Sequence, residues 1–182
     1  MSNPTVSGTR NQPTNDNLFQ TNGFKFTVNK IPNVTWFLQT ATIPAFVVQE
    51  AQYPTPFIDI PIPGEKGVYN PFSCSFKLDE DFKTWSELMA WMKGYSFPED
   101  YAQYSVQADI NGFSFGESDG DVSDGTLILM SNKLNANFEI TFKHMFPISI
   151  SDIEVSVMGD TVEYSTVSVE FQYQGYTYRR IE

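Results

Sequence analysis

Four segments of the chain alternate apolar and polar residues with a period of two: Phe24-Lys25-Phe26-Thr27-Val28, Phe72-Ser73-Cys74-Ser75-Phe76-Lys77-Leu78, Phe138-Glu139-Ile140-Thr141-Phe142-Lys143 and Val167-Ser168-Val169-Glu170-Phe171-Gln172-Tyr173. Successive side chains of a strand point to opposite faces, so each segment offers Phe, Val and Ile to a core and mainly Ser, Thr, Glu and Gln to water. Weaker strands are expected at 36–40, 126–130 and 153–157. Such a chain is mainly β.

One helix interrupts this pattern, in DEDFKTWSELMAWMKG. Asp79 or Asp81 is placed to cap it, and Lys93 and Gly94 mark its end. At about 100° per residue Phe82, Trp85, Leu88, Met89 and Met92 form one stripe, with Trp91 at its margin. Trp91 has two readings: a partly buried tryptophan, or a subunit contact, since Trp is enriched at interface hot spots.

The stretch ATIPAFVVQEAQYPTPFIDIPIPGEKG, Ala41 to Gly67, is apolar and aromatic but broken by five prolines. It suits neither a good helix nor a central strand. Prolines stiffen it as extended chain at a lower entropic cost than a flexible loop, which suits an interlocking contact.

With 182 residues, 41% of them hydrophobic and 15% aromatic, the chain has the size and composition of one folded domain. Residues 1–17 lack hydrophobic periodicity and read as a flexible arm; residues 18–182 form the domain. The net charge of -11 argues against general affinity for nucleic-acid phosphates. No apolar run reaches the roughly 20 residues of a spanning helix, no secretory leader is visible, and the single Cys74 allows no internal disulfide. Synthesis and retention in the cytosol, without membrane insertion, are the expectation.

Enzymatic motifs fail on context. Gly112-Phe113-Ser114-Phe115-Gly116 spells the nucleophile elbow, but it is followed by an acidic Gly and Asp loop, 112–125, rather than a helix. His144 ends a strand-like run and reads as structural. Asp119, Asp121 and Ser123 begin an EF-hand-like spacing that lacks its glycine and its final Glu. Cys74 sits on the apolar side of its strand, and no Cys and His cluster, P-loop or G-x-G-x-x-G is present. No catalysis, cofactor or metal is expected.

The order of these features resembles the tail tube proteins of contractile-tailed phages from Asn17 onward. The residues that carry the resemblance are Asn17-Leu18-Phe19 before the first strand, Ala41-Thr42-Ile43-Pro44 opening a long loop, the strand Phe72 to Leu78, the helix Phe82 to Trp91, Phe146-Pro147-Ile148-Ser149-Ile150 and the aromatic finish Val169 to Tyr173. The resemblance implies a β-sandwich or split-barrel subunit flanked by one helix. Six copies would close a ring with an inner β-barrel, and stacked rings would form a tube that conducts DNA and templates a sheath. Implied partners are sheath, baseplate or initiator and terminator proteins, in a virion tail assembled in the host cytoplasm.

On that reading the loop 42–69 stacks rings through Ile43, Pro44, Phe46, Val47, Phe57, Ile58 and Ile60. Glu139, Glu163 and Glu170 either line the lumen, where carboxylates let DNA slide, or are solvated on an outer sheet face. The arm, the acidic loop and the extension Tyr176 to Arg180 leave open a minor initiator ring of the same fold. The alternative of a different class is a soluble binding or hydrolytic β domain using the loop 112–125.

Overall fold

The computed structural model describes residues 18–31, 34–96, 122–156 and 164–181. Its elements run β1 (Phe24–Val28), a single helical turn α1 (Val34–Phe37), β2 (Leu38–Thr42), β3 (Phe46–Pro54), β4 (Asp59–Tyr69), β5 (Phe72–Lys77), α2 (Lys83–Ser96), β6 (Ser123–Met130), β7 (Ala136–Ile150), β8 (Thr166–Gln172) and β9 (Gly175–Arg180). Among the described residues the fold is mainly β with one substantial helix.

Two antiparallel layers share one strand. The first runs β1-β6-β7-β9 and the second β7-β8-β5-β2. β7 can serve both because it bends in its middle. There His144 adopts a left-handed φ of 51°, and its backbone N–H donates to Asp124 Oδ1 at 3.0 Å beside an irregularity in the β6–β7 ladder. Such irregularities bend and twist strands.

The alternation read from the sequence sets the packing. Phe26 and Phe142 of the first layer meet Phe72 of the second at ring-centroid distances of 4.7 and 4.9 Å. Phe26, Phe72, Phe76, Phe142 and Phe171 are all fully buried, each contributing on the order of 1.5–3 kcal/mol. Cys74 lies in the same core, where burial pushes its thiol up to about 12. That thiol is inert, as a small hydrophobe should be.

The strands expected at 24–28, 72–78, 138–143 and 167–173 form, with β7 extending well beyond the alternating run. The run at 36–40 is instead a helical turn followed by β2, and residues 153–156 form no strand. Tyr176 to Arg180 is no appendage: as β9 it pairs with β7 along its length.

α2 begins where Asp79 caps it, its carboxylate accepting from the N–H groups of Lys83 at 2.9 Å and Thr84 at 3.3 Å. Its buried face keeps Leu88 of the expected stripe but otherwise consists of Thr84, Trp91 and Gly94, with Trp85, Met89 and Met92 half-buried. Trp91 is 3% exposed, 6.3 Å from the Phe171 ring, with Lys30 Nζ 5.1 Å above its own ring. One of the helix's two tryptophans thus goes to the core, while Phe82, just before the helix with a left-handed φ of 54°, is 44% exposed.

Candidate assembly surfaces

The proline-broken stretch is a β-hairpin rather than an irregular loop. β3 and β4 pair with each other as a separate two-stranded sheet, turning at 55–58, where Thr55 Oγ1 accepts from the Ile58 N–H at 3.2 Å. The two-residue spacing of Pro61 and Pro63 puts both missing donors on one edge of β4, so the ladder on the other edge tolerates them. The sequence signal was two β-rich runs, FVVQEAQY and IDIPIPGEKGVY, flanking a Pro-rich turn.

Two glycines shape this arm. Between Val48 and Glu50 the register shifts, and there Gly64 lies so close that a Cβ would stand 2.0 Å from the Gln49 carbonyl oxygen. Gly67 lies under the Phe46 ring, whose tip is 2.1 Å from where a Cβ would be.

The register sorts the arm into two faces. Val47 opposes Val68, Ala51 opposes Ile62 and Tyr53 opposes Ile60, and these pairs share one face. All of these side chains are exposed, Tyr53 at 62%, and Phe57 at the tip is 98% exposed. The other face turns polar away from the root, with Glu50, Gln52 and Asp59.

The root, in contrast, is fixed to the core. Phe46 packs on Tyr69 at 4.9 Å, Tyr69 lies 5.3 Å from Tyr176 and 5.8 Å from Tyr173, and Tyr173 reaches Phe142 at 5.0 Å. The Asn70 N–H donates to Ala45 O at 3.0 Å, and Tyr173 Oη donates to Asn70 O at 2.8 Å. Burial, reinforced by the neighbouring Tyr176 and Tyr69, pushes the Tyr173 phenol up to about 12. It therefore stays a neutral donor.

The candidate stacking residues thus divide. Val47 and Ile60 lie on the apolar face, Phe57 and Ile58 at the tip, Phe46 at the root, and Ile43 with Pro44 between β2 and β3. Trp91 belongs to the chain's own core and has little surface left for a subunit contact.

Of the candidate lumen residues, Glu139 and Glu170 lie on different outer faces. Glu139 sits on the outer face of the first layer, opposite Arg179, whose Nε donates to it at 2.6 Å. Glu170 sits on the outer face of the second layer, where it accepts from Ser149 Oγ at 3.2 Å. Glu163 lies outside the described residues. With the core between the layers, Glu139 and Glu170 face away from each other.

These outer faces differ in chemistry. On the first layer Lys25, Lys143 and Arg179 stand with Glu139 around the cross-strand row Thr27, Thr126, Thr141 and Thr177. On the second the rows are Thr40, Ser75, Ser168 and Thr42, Ser73, Glu170, Ser149. Thr40 Oγ1 and Ser75 Oγ are 2.5 Å apart, and the cation there, Lys77, has its Nζ 5.3 Å from the Tyr164 ring centre.

Of the enzymatic motifs, Ser114 and the first two EF-like aspartates lie outside the described residues, whereas Ser123 and Gly125 belong to β6. Among the described residues no group of three His, Cys, Asp or Glu could hold a metal, and no helix is long and apolar enough to cross a membrane.

The chain matches the family model described as phage tail tube protein over residues 9–179. No curated protein sequence matches it. In fold it is similar to a chain of an extracellular contractile injection system, the PVC sheath/tube terminator in its extended state, with a TM-score of 0.58, 13% identity, and coverage of 90% of this chain and 98% of that one. A chain of the anti-feeding prophage tube-terminating cap gives a TM-score of 0.56 at 11% identity, covering 98% and 100% of the two chains. A chain of the PVC sheath-tube complex in its extended state gives 0.54 at 11% identity, covering 99% and 100%. With a family match spanning nearly the whole chain and a fold that agrees with it, this protein belongs to the phage tail tube protein family: a structural component of the virion tail, not an enzyme.

Proposed function

We propose that six copies of this chain close into a ring, that rings stack into a tube, and that the arm of each copy lies on the next ring. The observation that carries this reading is the apolar face of β3 and β4, held out from a root fixed in the core. A lone two-stranded hairpin is marginal in water, and its exposed Val, Ile and Tyr side chains seek a partner surface. Burying them would contribute on the order of 1.5–3 kcal/mol for each side chain fully covered.

In this reading the outer face of the β7-β8-β5-β2 layer lines the tube. Phosphates are held by clustered Lys and Arg, and this face is largely hydroxyl with Glu170. DNA would slide past it. Glu139, beside Arg179 on the more basic layer, leaves the wall. The opposite exterior supports a sheath, and baseplate and terminator proteins bound the tube, which assembles in the host cytoplasm and travels in the virion.

Replacing Ile60 and Ile62 with Asp tests the stacking role. Circular dichroism should be unchanged while negative-stain images lose tubes, because an unpaired charge buried at an interface is costly. Tubes of normal length from this variant would remove the arm from the contact; single rings from the unmodified protein would instead indicate a minor initiator ring.

A further inference from the structure

An open groove of about 490 Å³ lies where the two layers part, between β1 and β6 on one side and β2 on the other. Phe19, Phe24, Ala41, Ile43 and Leu129 give it a mainly apolar lining, and Thr21 stands at its edge. Its volume is in the range of pockets that enclose small organic groups. None of the described residues fills it.

The same chain carries the side chains to fill it. Phe57 and Ile58, 98% and 68% exposed, form the tip of the arm. We propose that the Phe57 tip of one copy seats in the Phe24–Ile43–Leu129 groove of another copy. This rests on the stacked-ring reading and names the receptor that the reading lacks.

Geometry selects the second copy. Thr42 and Ile43 line the groove, and β3 leaves only a few residues later, at Phe46. At about 3.3 Å per residue, nine residues of strand carry the tip roughly 25–30 Å from its root. The tip cannot return to its own groove without unpairing the hairpin, but an identical chain displaced along the arm presents the same groove to it. Each copy gives one tip and receives one. A contact of this heterologous kind propagates, as a tube requires.

Chemistry fits as well as reach. Among the described residues that line the groove none is charged, so an aromatic knob loses nothing on entry, whereas an acidic or basic peptide would be desolvated without a partner. An apolar anchor in a pocket is also the usual form of an interface hot spot.

The test places benzoylphenylalanine at position 57 and assembles tubes from an equal mixture of isotopically light and heavy protein. After irradiation, mass spectrometry should find light-to-heavy crosslinks from residue 57 to peptides containing Phe24, Ile43 or Leu129. Tubes whose crosslinks map elsewhere, including to residues 1–17, overturn the contact alone. Absence of rings and tubes from the unmodified chain overturns both the contact and the reading beneath it. As a second arm, Thr21→Trp fills the groove from an exposed position and should abolish stacking with the circular dichroism spectrum retained; normal tubes from it would also count against the groove.

Discussion

Phe46 and Tyr69 face each other across the first pair of the β3–β4 ladder, ring centroids 4.9 Å apart, and join the exposed arm to the aromatic core. Phe46 is half-exposed and covers Gly67, while Tyr69 continues inward to Tyr173 and Tyr176. One end of the arm therefore belongs to the folding unit and the other to the assembly.

That division separates stability from assembly. Tyr69→Ala removes a partly buried aromatic and should cost about 2–4 kcal/mol, lowering Tm by roughly 5–15 °C in a domain of this size. Phe57→Ala removes a side chain that touches little in the single chain, so its Tm should stay within about 1 °C while tube formation fails. Calorimetry and negative-stain microscopy on the same samples decide; a large Tm loss in Phe57→Ala would mean the tip packs on its own subunit.

Gly64 tests the geometry of the bulge. A Val there would drive its Cβ into the Gln49 carbonyl, and backbone cannot yield as a side-chain tip can. The outer hairpin should open: the amides of Ala51 and Tyr53 would exchange faster with deuterium, while those of β5 and β8 keep their protection. Unchanged exchange in the arm would show that the bulge is not constrained by this contact.

Asp79 makes α2 sensitive to acid. Partial burial pushes its carboxyl up, but hydrogen bonds from the backbone N–H groups of Lys83 and Thr84 outweigh this and hold it below its ordinary 3.8. A carboxyl lowered on folding contributes stability that is present above the unfolded value and lost as pH falls through the folded one. Asp79→Ala should therefore cost about 1 kcal/mol at neutral pH, and the difference from wild type should shrink below about pH 4. An equal difference at pH 3 and pH 7 would contradict the cap's ionic character.

The placement of charge decides the wall. Ser73→Lys with Ser168→Lys puts two cations per subunit on the hydroxyl face and should slow DNA ejection at low salt, with recovery as salt rises. Thr177→Lys, on the outer face of the other layer, should leave ejection unchanged. If only Thr177→Lys slowed it, the layers would have to be exchanged.

Much of the core could be read in the sequence because period two is local: Phe72, Cys74 and Phe76 alternate with Ser73, Ser75 and Lys77, and each lands on its expected face. The arm was harder. Its apolar residues do not face this subunit's core, so neither alternation nor proline spacing revealed that 46–69 pairs with itself. The helix stripe was misplaced for a different reason: helical spacing gave the period, but Trp91 packing near Phe171 set the rotation. Lumen residues depended on layer assignment, and Glu139 and Glu170 look alike along the chain although β7 and β8 turn them to opposite outer faces. The groove was invisible, since it is assembled from the ends of strands far apart in sequence.

The most direct test is cryo-electron microscopy of the assembled protein at a resolution that shows side chains. The account expects stacked six-membered rings, with Ser73, Ser168 and Glu170 facing the lumen and Phe57 seated between Phe24, Ile43 and Leu129 of a copy in the adjacent ring. Rings whose arms stay in solvent, or whose lumen is lined by Lys25, Glu139 and Arg179, would contradict it.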